Sequence, residues 1–142
     1  MKKGNQFWKI LAALVGGILG YAVVSSMYEA GRSTSATKDF LTRAAIEVNK
    51  KLPMPVDAET RLDMVEAGPG NIFTYDYSLP NKSKAEVDIQ TLRQSLRLQI
   101  IENYKTSGQM KSFRDRNIEV HYKYKDKNGE FAFEIIASPK DF

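Results

Sequence analysis

The chain has 142 residues, of which 42% are hydrophobic and 27% charged. That mixture suits one modest globular domain and excludes both a large multidomain enzyme and wholesale disorder. Cysteine is absent from the sequence, which excludes disulfides, thiolate metal sites, iron–sulfur clusters, a cysteine nucleophile and a lipoprotein anchor.

The net charge of +4 is concentrated at the front, where Lys2, Lys3 and Lys9 stand among the first nine residues without an acid. Setting these three aside leaves 18 basic against 17 acidic residues. The two signs are interleaved, as in Lys123-Tyr124-Lys125-Asp126-Lys127. Nucleic-acid domains show a basic stripe, so no nucleic-acid partner is expected.

Ile10 to Met27 reads ILAALVGGILGYAVVSSM, 18 residues without a charge. As a helix it covers about 27 Å, close to a hydrocarbon core of roughly 30 Å. Phe7, Trp8 and Tyr28 suit the headgroup level, and Lys9 can snorkel outward. The segment reads as an uncleaved transmembrane signal anchor over residues 10–28. A cleaved signal peptide and a buried helix are the competing readings. The positive-inside rule puts residues 1–9 in the cytoplasm and the remainder outside it, in the bacterial periplasm or beyond. Residues 29–37 (EAGRSTSAT) read as a linker, and residues 38–142 as the extracytoplasmic domain. Gly16 and Gly20 form a G-x-x-x-G pair, a candidate helix–helix contact that would serve self-association or docking to another membrane helix.

Phe40, Leu41, Ala44, Ala45, Val48 and Leu52 repeat at helical spacing, with Thr37 as the expected cap and Pro53 and Pro55 as the stop. Val56, Ala58, Thr60, Leu62 and Met64 then alternate with Asp57, Glu59, Arg61 and Asp63, which predicts a half-buried strand. Gly68-Pro69-Gly70-Asn71 turns the chain into a second strand, Ile72 to Leu79, with Phe73, Tyr75, Tyr77 and Leu79 on one side. A second helix is predicted from Asp88 to Tyr104, burying Ile89, Leu92, Leu96, Ile100 and Tyr104. Met110 to Arg116 adds a helical turn that stops at Asn117. Ile118, Val120, Tyr122 and Tyr124 mark a third strand. Asn128-Gly129 is a favoured hairpin dipeptide, and Phe131, Phe133, Ile135 and Ala137 mark the fourth. The predicted class is α+β in the order α-β-β-α-β-β, a four-stranded antiparallel sheet with helices on one face. Phe131 and Phe133 join the tyrosines in the expected core.

No catalytic constellation emerges. His121 shares a solvated strand face with Glu119, Lys123 and Lys125, and no nucleophile or metal partner is evident. Asp57, Glu59 and Asp63 share one face of the first predicted strand, with Asp76 on its neighbour. That reads as a polar sheet face rather than a pair of glycosidase carboxylates. Gly68-Pro69-Gly70 lacks the Lys-Ser/Thr of a phosphate loop. Neither metal nor cofactor is expected.

The segments Lys51-Leu52-Pro53, Val56-Asp57, Thr60-Arg61-Leu62-Asp63, Phe73-Thr74-Tyr75-Asp76-Tyr77, Met110-Lys111-Ser112-Phe113 and Tyr122-Lys123-Tyr124-Lys125-Asp126 resemble a group of small, uncharacterised bacterial envelope proteins. The resemblance spans about residues 45–142. It implies an exported α+β domain and carries no activity or ligand. In that group a cysteine stands near the position of Lys105 and another near that of Phe142. This chain has neither, so a disulfide tying the second helix to the C-terminus is absent. The functional expectation is a membrane-anchored extracytoplasmic binding or assembly domain, with a protein partner in the envelope or a second copy through the membrane helix. A small envelope hydrolase or its accessory factor, and a subunit of a secretion or adhesion machine, are the alternatives.

Overall fold

The computed structural model describes residues 34–141. The expected anchor, Gly16 and Gly20 lie outside these residues. Among the described residues no helix is long and apolar enough to cross a membrane.

Helix α1 spans Thr34–Asn49. Phe40, Leu41, Ala44, Ala45 and Val48 are buried along one stripe, the i, i+3, i+4 pattern of a helix lying on a core. Thr37 does not cap this helix. It is buried one turn before Leu41 and extends the same stripe. Two short strands follow: β1, Met54–Pro55, and β2, Arg61–Ala67. Strand β3 is Ile72–Ser78. Helix α2 spans Ile89–Thr106 and buries Leu92, Leu96, Ile100 and Tyr104. Asp88 caps it, its carboxylate accepting from the Thr91 N–H at 3.1 Å. At the other end Arg114 Nη1 donates to the carbonyls of Tyr104 and Ser107 at 2.6 and 2.7 Å, satisfying acceptors that the helix leaves open. A short helix α3, Lys111–Asp115, leads to Asn117, whose φ of 53° turns the chain into β4, Glu119–Lys125. Strand β5 is Phe131–Ala137.

The sheet has five strands in the order β1-β2-β3-β4-β5. This corrects the four-stranded expectation, because Met54 and Pro55 pair with Leu62 and Arg61 to add an edge strand. It also corrects the all-antiparallel expectation. The two hairpins are antiparallel within themselves, but β3 and β4 run parallel, Phe73 opposite Val120 and Tyr77 opposite Tyr124. The segment between them contains α2, the kind of long crossover that parallel neighbours require.

The side chains of Leu62, Val65, Phe73, Tyr75, Tyr77, Val120, Tyr122, Tyr124, Phe133 and Ile135 join those of α1 and α2 in one core, so both long helices cover the same face. Tyr77, Tyr124 and Phe133 stack across three strands, with ring centroids 5.0 and 4.5 Å apart. Phe113 of α3 meets Phe40 and Phe73 edge-on at 5.9 and 5.6 Å, tying α1 to the sheet.

Two expected core residues lie outside it. A bulge between Leu62 and Met64 gives the inward place to Val65 and leaves Met64 42% exposed. A second irregularity, between Tyr124 and Lys125, pairs Phe131 with Lys125 and leaves it 58% exposed.

Candidate docking groove

Strand β2 is paired on one side along its length but on the other only at Arg61 and Leu62, where β1 ends. Beyond that point no other described strand pairs with its edge, which faces the C-terminal half of α1. Asn49, the last residue of α1, fills one place on the edge. Its side-chain amide donates to the Val65 carbonyl and accepts from the Val65 N–H, both at 2.9 Å. Backbone groups two residues apart on a strand point the same way, so the N–H and C=O of Ala67 face the same edge.

A groove runs beside this edge. One cavity of about 470 Å³ lies between Ser35, Lys38, Leu41 and Thr42 of α1 and the β2–β3 turn from Ala67 to Asn71. Another of about 550 Å³ shares Thr42 and Pro69 with it and continues along Ala45, Ile46 and Asn49 to Val65. Gly68 and Gly70 have φ of 89° and 70°, a region most side chains avoid, and they fold the turn that forms the wall. Ile46 is 53% exposed in this groove. Lys38 and Glu66 are its charged members. The rest of the lining mixes apolar side chains such as Leu41, Ala45, Ile46 and Val65 with the polar Ser35, Thr42, Asn49 and Asn71, a surface that suits a polypeptide more than a small polar substrate.

The residues singled out from the sequence lie elsewhere. His121 sits on the open face of the sheet, Nε2 2.7 Å from a Glu119 carboxylate oxygen and Nδ1 3.0 Å from one of Glu134. Both ring nitrogens are therefore engaged by carboxylates, and neither addresses a nucleophile. Asp76 is on that open face too. Burial, then the nearby Glu66, push its carboxyl above the ordinary range, against the pull of Lys125 and Lys123. Asp63 is tied to Arg61. Asp57 and Glu59 do not share the face of Asp63 as expected. They belong to a loop before β2, where the Asp57 carboxylate accepts from the Glu59 N–H at 2.7 Å. Among the described residues no group of three or more His, Cys, Asp or Glu side chains is placed to hold a metal ion. Sequence reasoning missed the groove. Its only local signals were the Gly68-Pro69-Gly70 turn and Ile46, an apolar residue off the buried stripe of α1.

The architecture is that of a small α+β domain, with two long helices on one face of a mixed sheet. The chain belongs to the family described as Domain of unknown function (DUF8479), which it matches over residues 35–133. No curated protein matches it by sequence. Three solved structures share the fold. A Pseudomonas aeruginosa protein described as secreted is 14% identical, with a TM-score of 0.62 over 78% of this chain and 97% of its own. The pilotin EpsS of the Vibrio vulnificus type 2 secretion system is 10% identical, with a TM-score of 0.60 over 75% of this chain and 92% of its own. The type II secretion system pilotin AspS of Vibrio cholerae is also 10% identical, with a TM-score of 0.57 over 77% and 94%.

Proposed function

We propose that this chain is an accessory subunit of a protein-secretion machine in the bacterial envelope, and that it binds a protein component of that machine through the α1–β2 groove. The observation that carries the reading is the fold it shares with two secretion pilotins over 92% and 94% of their chains. The groove adds a physical means, since strand groups that no described residue pairs, beside a cleft of mixed apolar and polar side chains, favour a polypeptide partner. Ile10–Met27 anchors the domain in the inner membrane, with the N-terminus in the cytoplasm, and Gly16 and Gly20 form the contact with a neighbouring membrane helix. The hydrolase reading gains no specific support, because both nitrogens of His121 are held by carboxylates.

The test uses the full chain in intact cells, with a photo-crosslinking residue at Ile46 and a control at Leu98, which is 75% exposed on α2. The expected result is a reproducible adduct with a secretion component from Ile46 alone. Identical adduct patterns from both positions would sink the groove as the docking site. Recovery of unprocessed chain in the soluble fraction would sink the anchor.

A further inference from the structure

Strand β5 ends the sheet on the side away from β1, and among the described strands it pairs only with β4. Its sequence, FAFEIIA, is rich in aromatic and β-branched residues, and its one charge is Glu134. A segment of that kind, without proline or glycine, has the composition that pairs strand to strand between copies of a chain. Such an edge normally carries a device that keeps it from further pairing.

The device is on α2, which packs against β5. Arg93 Nε donates to the Glu134 carbonyl at 3.1 Å, and Arg97 Nη1 to the Ile136 carbonyl at 3.3 Å. Four residues of helix rise about 6 Å and two residues of strand about 6.6 Å, so a helix running beside the strand delivers one guanidinium to each successive outward carbonyl. Arg97 Nη2 also reaches an Asp141 carboxylate oxygen at 3.3 Å, and the other oxygen of that carboxylate accepts from the Ser138 N–H at 2.8 Å. The Arg97 head is thereby tied to the end of β5 and to the turn that follows it. Arginine donates and cannot accept, so the N–H groups of Glu134 and Ile136, which point the same way as their carbonyls, gain nothing from it. The two arginines occupy the edge without completing its hydrogen bonding, whereas an added strand would satisfy both kinds of group.

We propose that Arg93 and Arg97 guard the β5 edge against a second copy of this chain, whose own β5 would pair with it antiparallel across a two-fold axis. The strand then meets itself, the self-complementary contact that a two-fold requires. Both guanidinium groups must leave their carbonyls before the strands can meet, and the arginines of two copies would repel in the shared seam. The guard lies at the opposite edge of the sheet from the docking groove, so it stands or falls independently of the proposed function.

The test compares the full chain in detergent with the double variant Arg93→Ala/Arg97→Ala. The control is Arg43→Ala/Lys51→Ala, which removes two exposed cations elsewhere. Association through the N-terminal segment is common to all three and cancels in the comparison. Mass is followed by light scattering over a concentration series, and amide exchange is read residue by residue. The expected result is that R93A/R97A alone moves to twice the wild-type mass or beyond. In it the amides of Glu134 and Ile136 should exchange severalfold more slowly, because a partner strand gives them acceptors. An R93A/R97A chain with the wild-type mass, association matched by R43A/K51A, or association without slower exchange at those two amides would each overturn the guard. If circular dichroism shows that R93A/R97A does not fold, the single variant R97A is held to the same outcomes.

Discussion

The carboxamide of Asn49 pairs with both backbone groups of Val65, two hydrogen bonds of 2.9 Å that a neighbouring strand residue would otherwise supply. One side chain at the end of α1 thus closes a place on the sheet edge and fixes the helix against β2. An open edge is a template for further pairing, so this contact bears on stability and on aggregation alike.

Replacing Asn49 by Ala removes both bonds and leaves a half-buried N–H and C=O. At about 0.5–1.5 kcal/mol per bond, the expected loss is about 1–3 kcal/mol. Asn49→Asp keeps the acceptor but loses the donor, so it should fall between wild type and Ala in urea unfolding. Two variants as stable as wild type would show that the pair contributes nothing.

Leu96 of α2 is 0% exposed and touches the core shared by both helices and the sheet. Leu96→Ala should cost about 2–5 kcal/mol through lost burial and the cavity left behind. Leu98, two positions on, is 75% exposed, and Leu98→Ala should stay within about 0.5 kcal/mol of wild type. Chemical denaturation of the two variants measures the contrast.

Acid should destabilise the domain through three carboxylates around the start of α2 and the β4–β5 turn. The backbone N–H of Ser83, then its hydroxyl and Lys127, hold Glu86 down from 4.5 to about 2. Thr91 lowers Asp88. The N–H of Lys84 lowers Asp126, whose carboxylate also accepts from the backbones of Asn128 and Glu130. Each carboxylate binds its proton less readily folded than unfolded, so the stability it lends is present above its unfolded pKa. For Glu86 it is lost as pH falls from 4.5 towards about 2. Asp76, raised by burial, works in the opposite sense. Urea midpoints should hold steady from neutral pH to about 5 and then drop, and Asp126→Asn should flatten that drop.

Alkali should act through the buried tyrosines. Burial pushes Tyr104 up to about 12 and raises Tyr75, Tyr77, Tyr122 and Tyr124 further. A group whose folded pKa lies above its unfolded value stabilises the fold fully below the unfolded value, here 10.0, and loses that contribution as pH rises through the folded one. Tyrosinate absorbance and loss of circular dichroism should therefore appear together above pH 10.0. Ionisation of these tyrosines with the fold intact would contradict the burial.

Periodicity located most elements. Leu92, Leu96, Ile100 and Tyr104 lie buried where a helical stripe puts them, and Phe73, Tyr75 and Tyr77 where a two-residue period puts them. It failed at Met64 and Phe131, where the register slips and the faces change places. Nothing local marks such a slip, because it is set by the strand opposite. Alternation also predicts a strand over Asp57 and Glu59. They alternate with apolar residues, yet the loop closes on Thr60 before β2 begins.

The sequence by itself determined the two long helices, four of the five strands and, away from the two slips in register, which side of each turns inward, because spacing along the chain decides those. Only the tertiary structure decided that the hairpins meet in parallel, that no described strand pairs with the far half of the outer edge of β2, and that α1 lies beside it to form a groove. These depend on contacts between residues far apart in the chain, whose free energy exists only once both partners are in place.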